Sequence, residues 1–325
     1  MVHITDKLKD KKWGVMVHLL HYLQNNPDRS NNEGVGKSTW NEVIAQIDVN
    51  NIAKELSEMG AGYLLITMQQ GNQNMSAPNA TFDAITGYRH GEACAERDLF
   101  MDLYNALQAY GIDLYLYFTG DGPYQDEKAG TAMGAYGTFT KDSTTPTFLK
   151  NWQAVLQEYA VRYAGKVQGW WIDGCYEYFG YTDDKLKGYY DVLKGADKNY
   201  LITFNDGFAI DQKYSNAPNL HLRKYSKWED YTSGEAVDID IYPPARFIDG
   251  SQWHILLTLS NTPEGHNDWG GENVRWTEEE FLSYIQAVWN QGGVLTLDMG
   301  LKRSGKFFDK QKQFIQTVMQ KAAQA

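Results

Sequence analysis

The strongest constraint on this chain is a unit that recurs along it: a stretch with helical periodicity, a glycine, then a short apolar run. Asn51–Met59 has the helical period, Gly60 ends it, and Tyr63–Thr67 (YLLIT) follows. Leu99–Tyr110 ends at Gly111 before Leu114–Phe118 (LYLYF). Phe148–Tyr163 leads through Gly165 and Gly169 to Trp170–Ile172, and Lys185–Leu193 through Gly195 to Tyr200–Phe204. Thr277–Asn290 ends at Gly292 before Val294–Leu297. A glycine just past a helix takes the left-handed conformation at little steric cost, so it serves as a stop signal. Short β-rich runs after such stops read as strands buried on both faces.

Helices alternating with doubly buried strands imply a parallel sheet with crossover helices. The five units, with Gly14–Val17 at the start and Trp253–Leu259 late in the chain, give seven strands. An eighth is expected between Leu220 and Tyr242. Eight such strands in 325 residues predict a single-domain (β/α)8 TIM barrel, an α/β fold spanning residues 1–325. The alternative, an open doubly wound sheet, lacks its fingerprint here, because no GxGxxG follows the first strand. The long Gly-rich and polar segments, Leu19–Ser38, Gln69–Glu96, Thr119–Pro146 and Glu229–Gly250, all follow strands. In a barrel such loops gather on the face where active sites are built. Gly34–Thr39 (GVGKST) imitates the end of a phosphate-binding loop, but that motif needs glycine where Asn31 stands and a strand before it.

The formal net charge of −11 and pI near 5.1 argue against nucleic acid or an anionic membrane as partner. No apolar run approaches the length of a membrane span. Cys94 and Cys175 form no CxxC pair and no zinc-type cluster, so two buried free thiols and no metal or other cofactor are expected. Met1–Asp10 shows no signal-peptide pattern; the chain is expected to be cytoplasmic, or periplasmic or secreted if an export signal was trimmed. The 10 Trp, 22 Tyr and 13 Phe are the compositional excess. Flat rings with a polar edge suit sugar faces, which present C–H patches between hydroxyls.

Barrel chemistry uses side chains at the C-terminal ends of strands. Those ends carry His18, then Gln69 and Gln70, Asp173, Asn205 and Asp206, His254, and Asp298. Asp173 stands out, because GWWIDG sets an acid directly after an apolar strand, beside Trp171. A carboxyl there is costly unless it is used or paired. Glycosidic cleavage needs two carboxyls, one acting at the anomeric carbon and one protonating the leaving oxygen. Candidates for the second are Glu229 in KWED and Glu235 in TSGE, with Glu177 and Glu264 behind them.

These segments resemble the α-L-fucosidase family of retaining glycosidases. KDKKWGVMVHLLHY resembles that family's opening strand, and GAGYLLITMQQGN its second. RDLFMDLYNALQAYGIDLYLYF resembles the third helix–strand unit and GWWIDG the nucleophile segment. KWED, DWGG (Asp268–Gly271) and QGGVLTLDMG resemble three later motifs. The resemblance implies a glycan substrate, Asp173 as nucleophile and Glu235 or Glu229 as acid/base. It also implies sugar contacts from His18, Gln69, Gln70, Trp171, Trp228 and Trp269. The sequence departs from the family where paired histidines that grip the fucose hydroxyls give way to Gln69 and Gln70. That loss motivates a second expectation: a carbohydrate-binding protein without turnover on the same barrel.

Overall fold

A computed structural model of the protein describes residues 2–135, 137, 141–207 and 222–324. In chain order its strands are β1 (Trp13–Val17), β2 (Tyr63–Thr67), β3 (Asp113–Thr119), β4 (Gly169–Asp173) and β5 (Leu201–Phe204). They are followed by β6 (Phe247–Ile248), β7 (Ser251–Gln252), β8 (His254–Thr258) and β9 (Val294–Asp298). Seven of them form one curled parallel sheet in the order β5–β4–β3–β2–β1–β9–β8, and β6 and β7 pair as a small antiparallel hairpin. The seven strands predicted are the seven found.

The expected eighth position is occupied differently. Asp230–Ala236 runs between the sheet's edges, β5 and β8, with isolated parallel bridges at Tyr231–Gln252 and Glu235–Leu256. On one side the Asp230 amide donates to the Ile202 carbonyl (2.8 Å); on the other, the Leu256 amide donates to the Gly234 carbonyl (2.8 Å). The ladder breaks because side chains take its places. Asp230 Oδ2 accepts from the Ile202 amide (3.0 Å) and Thr232 Oγ1 from the His254 amide (2.8 Å). The start of the range predicted for this strand, up to residue 221, lies outside the described residues.

Most helix stops are as the glycines predict. Gly60, Gly111, Gly165 and Gly292 all have positive φ. Gly195 is the correction: the helix runs on as Asp183–Ala196 and ends at Asp197, whose carboxylate accepts from the Asn199 and Gly165 amides. Asp197 ends the helix in extended backbone, its own amide donating to the Leu193 carbonyl, in place of the left-handed conformation expected of the glycine. The loops after β2 and β3 carry short helices of their own, Ala80–Thr86 and Glu127–Met133. Among the described residues no helix is long and apolar enough to cross a membrane.

The two faces of the sheet separate the core. Outward residues such as Val15, Leu64, Leu116, Trp170 and Ile202 pack under the surrounding helices. Inward residues form their own cluster: Met16, Tyr63, Leu65, Tyr115, Tyr117, Trp171, Leu201, Tyr231 and Leu256, with Leu8 from the first helix. Gly14 makes room for this plug, since a Cβ there would stand 2.3 Å from the Tyr63 ring. Cys94 and Cys175 are buried free thiols.

Candidate active site

Side chains alternate along a strand, so the residues two or four positions beyond the plug also point inward. They are His18 just past β1, Thr119 and Asp173 at the ends of β3 and β4, Asn205 after β5, Glu235, and Asp298 at the end of β9. These groups fall into separate hydrogen-bonded sets: Asp173 with Asn205 and Glu235, His18 with Asp298, and Thr119 with Gln69. Tyr117, one step lower, donates its hydroxyl to Asp173 Oδ2 (2.5 Å). The Asn205 Nδ2 group donates one proton to Asp173 Oδ1 (2.7 Å) and the other to Glu235 Oε2 (2.5 Å). Two bonds of that length from one nitrogen hold the nearest carboxyl oxygens no more than about 5.2 Å apart. Asp173 and Glu235 both keep part of their surface open to solvent.

The two carboxyls are electrostatically unequal. Burial, and then the charge on Asp173, push the Glu235 carboxyl well above the usual range, and the Asn205 bond offsets this only in part. Two like charges so close are not both held at low cost, and the raised Glu235 carboxyl keeps its proton. Burial and the neighbouring Asp173 also keep the Tyr117 phenol protonated, so it remains a donor.

Around this pair the other predicted residues fall into distinct places. His18 Nδ1 pairs with Asp298 Oδ1 (2.5 Å), and Asp298 Oδ2 accepts from the Gly270 amide (2.6 Å). The His18 ring stands 5.6 Å from Trp269 and 6.1 Å from Tyr117. Trp269, in the loop after β8, packs on the inward cluster and closes one side of that mouth. Trp171 lies beneath, stacked on Tyr117 at 5.3 Å with its indole N–H on the Ser233 carbonyl (3.0 Å). It is the floor of the site. Gln70 bonds Tyr117, whereas the neighbouring Gln69 is fully buried. The Gln69 amide is consumed by the Asn72 carbonyl (2.6 Å) and the Thr119 hydroxyl (2.9 Å).

Three predicted residues lie elsewhere. Glu229 is turned away from Asp173, and its carboxyl accepts from the Tyr225 amide (2.9 Å) in a tight turn. Burial pushes it up to about 8, for a reason independent of the site. Trp228 packs on Tyr190 (5.2 Å) and Lys187 of the helix after β4, and donates to the Asp183 carbonyl. His254 is buried inside the sheet between Thr232 and Thr296. Among the described residues no three His, Cys, Asp or Glu side chains converge as metal ligands.

Sequence reading missed Tyr117, Asp121 and Tyr176. Asp121, in the loop after β3, has a buried Oδ1 with no hydrogen-bond partner, and a Cβ on Gly174 would stand 3.1 Å from its carboxyl carbon. Burial and the adjacent Asp173 push it up to about 8. The Tyr176 phenol is raised chiefly by Asp173, which marks it as another neighbour of that carboxylate. For Tyr117 the signal was present: it stands two residues before Thr119, which pairs with Asp173 in the sheet register.

No family model matches the chain, and no curated protein matches it either. Solved structures do. An endo-fucoidan hydrolase from glycoside hydrolase family 107 superposes with TM-score 0.70 at 14% identity, over 99% of this chain and 94% of that one. A GH29 α-L-fucosidase from Bacteroides thetaiotaomicron gives 0.64 at 18% identity, over 99% of this chain and 74% of that one. The α-L-fucosidase AlfC from Lactobacillus casei, in complex with its α-L-fucose product, gives 0.63 at 16%, over 99% and 98%. The likeness shows that this chain shares their fold.

Proposed function

We propose that the chain is a retaining glycosidase acting on an α-L-fucoside or a related sugar in a complex glycan. In this reading it is a (β/α)8 barrel whose eighth strand is the irregular Asp230–Ala236 segment. The observation that carries it is the Asn205 side-chain nitrogen bonded to Asp173 and Glu235 together. Retaining enzymes hold their carboxyls about 5–5.5 Å apart, and inverting ones about 6.5–9.5 Å to admit a water. The bridge accommodates the first spacing and favours it over the second. Solved structures of the same fold whose names include fucosidase and fucoidan hydrolase support the sugar class.

The roles follow from the asymmetry of the pair. The Asp173 side chain, held by Tyr117 and Asn205, attacks the anomeric carbon as the bond to the leaving oxygen breaks. Glu235, protonated, gives its proton to that oxygen. In the second half Glu235 takes a proton from water, whose oxygen displaces Asp173 from the sugar. His18, oriented by Asp298, and Trp269 offer a polar edge and a flat face to the bound ring. No step draws on Glu229.

A panel of aryl glycosides and glycans tests this. Turnover by the native chain that disappears in Asp173→Asn supports it and excludes a protein that binds sugar without hydrolysing it. Affinity for the same sugars with no turnover favours binding alone. Because Gln69 and Gln70 stand where the fucosidase family carries histidines, simple aryl α-L-fucosides are expected to react well below a typical enzyme's rate of about 10 s⁻¹. Turnover at that rate would show the exchange to be neutral.

A further inference from the structure

Gln70 does not present its amide to the mouth. Its Nε2 group donates to the Tyr117 hydroxyl (2.8 Å), and its Oε1 accepts from the hydroxyl of Tyr22 (3.0 Å), which is 48% exposed at the rim. Tyr117 in turn donates to Asp173 Oδ2 (2.5 Å). The direction of the chain is forced. A carboxylate can only accept and a phenol has one proton, so Tyr117 must give that proton to Asp173 and can only accept from residue 70. The reversed amide would set an oxygen against an oxygen that has no proton left to give. The orientation of Gln70 is therefore fixed by the charge on Asp173, two bonds away.

We infer that Gln70 is a positioning residue rather than a sugar ligand: with Tyr22 it commits the Tyr117 proton to Asp173. This rests on the reading of Asp173 as nucleophile. The arrangement also gives a reason for an amide at this place. Glutamine supplies a permanent donor next to an obligatory acceptor at every pH, which a titrating side chain does not.

Two substitutions separate the roles. At neutral pH Gln70→Glu places an acceptor-only group against Tyr117 and competes for its single proton. Gln70→Met keeps the bulk and leaves Tyr117 free to face Asp173. With 4-nitrophenyl α-L-fucoside, Gln70→Glu is expected to lose about 10- to 100-fold in kcat/KM, the scale of a lost hydrogen bond to a charged group. Gln70→Met is expected to lose only a few-fold, and the inhibition constant of free L-fucose should stay put in both. In a Tyr117→Phe background Gln70→Glu should cost nothing further, because its effect passes through the missing hydroxyl. An undiminished loss in that background, or a weaker hold on L-fucose, overturns the inference. A second readout does not depend on hydrolysis. The Tyr117 hydroxyl proton, assigned by its absence in Tyr117→Phe, should give a far-downfield NMR signal that moves in Gln70→Glu and persists in Gln70→Met. A signal indifferent to Gln70→Glu sinks the inference even if the native chain cleaves no fucoside; a signal that moves as expected upholds it while the hydrolase reading fails alone.

Discussion

The inner face of the sheet holds two layers, built from strand positions two or four residues apart, that differ in almost every physical respect. The lower one, with Tyr63, Leu65, Tyr115, Trp171, Leu201, Tyr231 and Leu256, is an apolar plug closed from below by Leu8. The upper one carries two polar groups, Asp173 and Glu235 joined through Asn205, and His18 paired with Asp298. Burying the first stabilises the fold by roughly 1.5–3 kcal/mol per large side chain. Assembling the second costs stability, since it brings carboxyls together where only one can shed its proton freely. In the proposed reading the difference divides stability from chemistry: the plug fixes strand positions, and that rigidity holds the costly arrangement above it.

The largest effect that would break this comparison is a separation of activity from stability. Asp173→Asn should reduce turnover by about a thousandfold or more, the scale on which a lost nucleophile acts. The same change removes the charge facing Glu235 and Asp121, so the melting temperature should hold or rise. A clear fall in melting temperature would mean that the upper layer supports the fold after all. The mirror experiment lies in the plug. Leu65→Ala should cost about 2–5 kcal/mol in urea or thermal unfolding, with turnover per folded molecule retained.

Glu229 and Glu235 sharpen the contrast, because burial raises both. The folded chain keeps protons on them that the unfolded chain releases near its ordinary carboxyl pKa of about 4.3. Their penalty is therefore absent in acid and grows as pH rises from there towards about 8, the value to which Glu229 is pushed. Stability should fall across that window. Glu229→Gln should flatten the fall and leave kcat/KM within about twofold, the ordinary result away from a site. Glu235→Gln should flatten it too and abolish turnover of substrates with poor leaving groups. Equal loss of activity in the two would return Glu229 to the mechanism. The smallest expected effect is at Trp228, where Phe should change KM hardly at all, because the ring packs on Tyr190 and not in the mouth.

Much of this was legible in the residues. The five glycine-punctuated units, with Gly14–Val17 and Trp253–Leu259, gave all seven strands of the parallel sheet, and an acid directly after GWWI marked Asp173 as a candidate. The rest failed for identifiable reasons. Gln69 and Gln70 are neighbours in extended chain, so their side chains diverge, one into the loop interior and one to Tyr117. Glu229 and Glu235 could not be told apart because the segment carrying them is an interrupted strand without a readable alternation. Trp228 and Trp269 look alike in sequence, yet one lies under an outer helix and the other beside His18. Asn205 was visible as a strand end, but nothing in the residues alone tells that one amide would join two acids.

That junction is the centre of the account, and trapping tests it most directly. The native chain is treated with 2-deoxy-2-fluoroglycosyl fluorides of the α-L-fuco configuration and its epimers, and its intact mass and peptides are followed with fluoride release. The account predicts a single glycosyl adduct on the peptide carrying Asp173, absent in Asp173→Asn and accumulating in Glu235→Gln. Fluoride release with no adduct, or an adduct on any other residue, would contradict it.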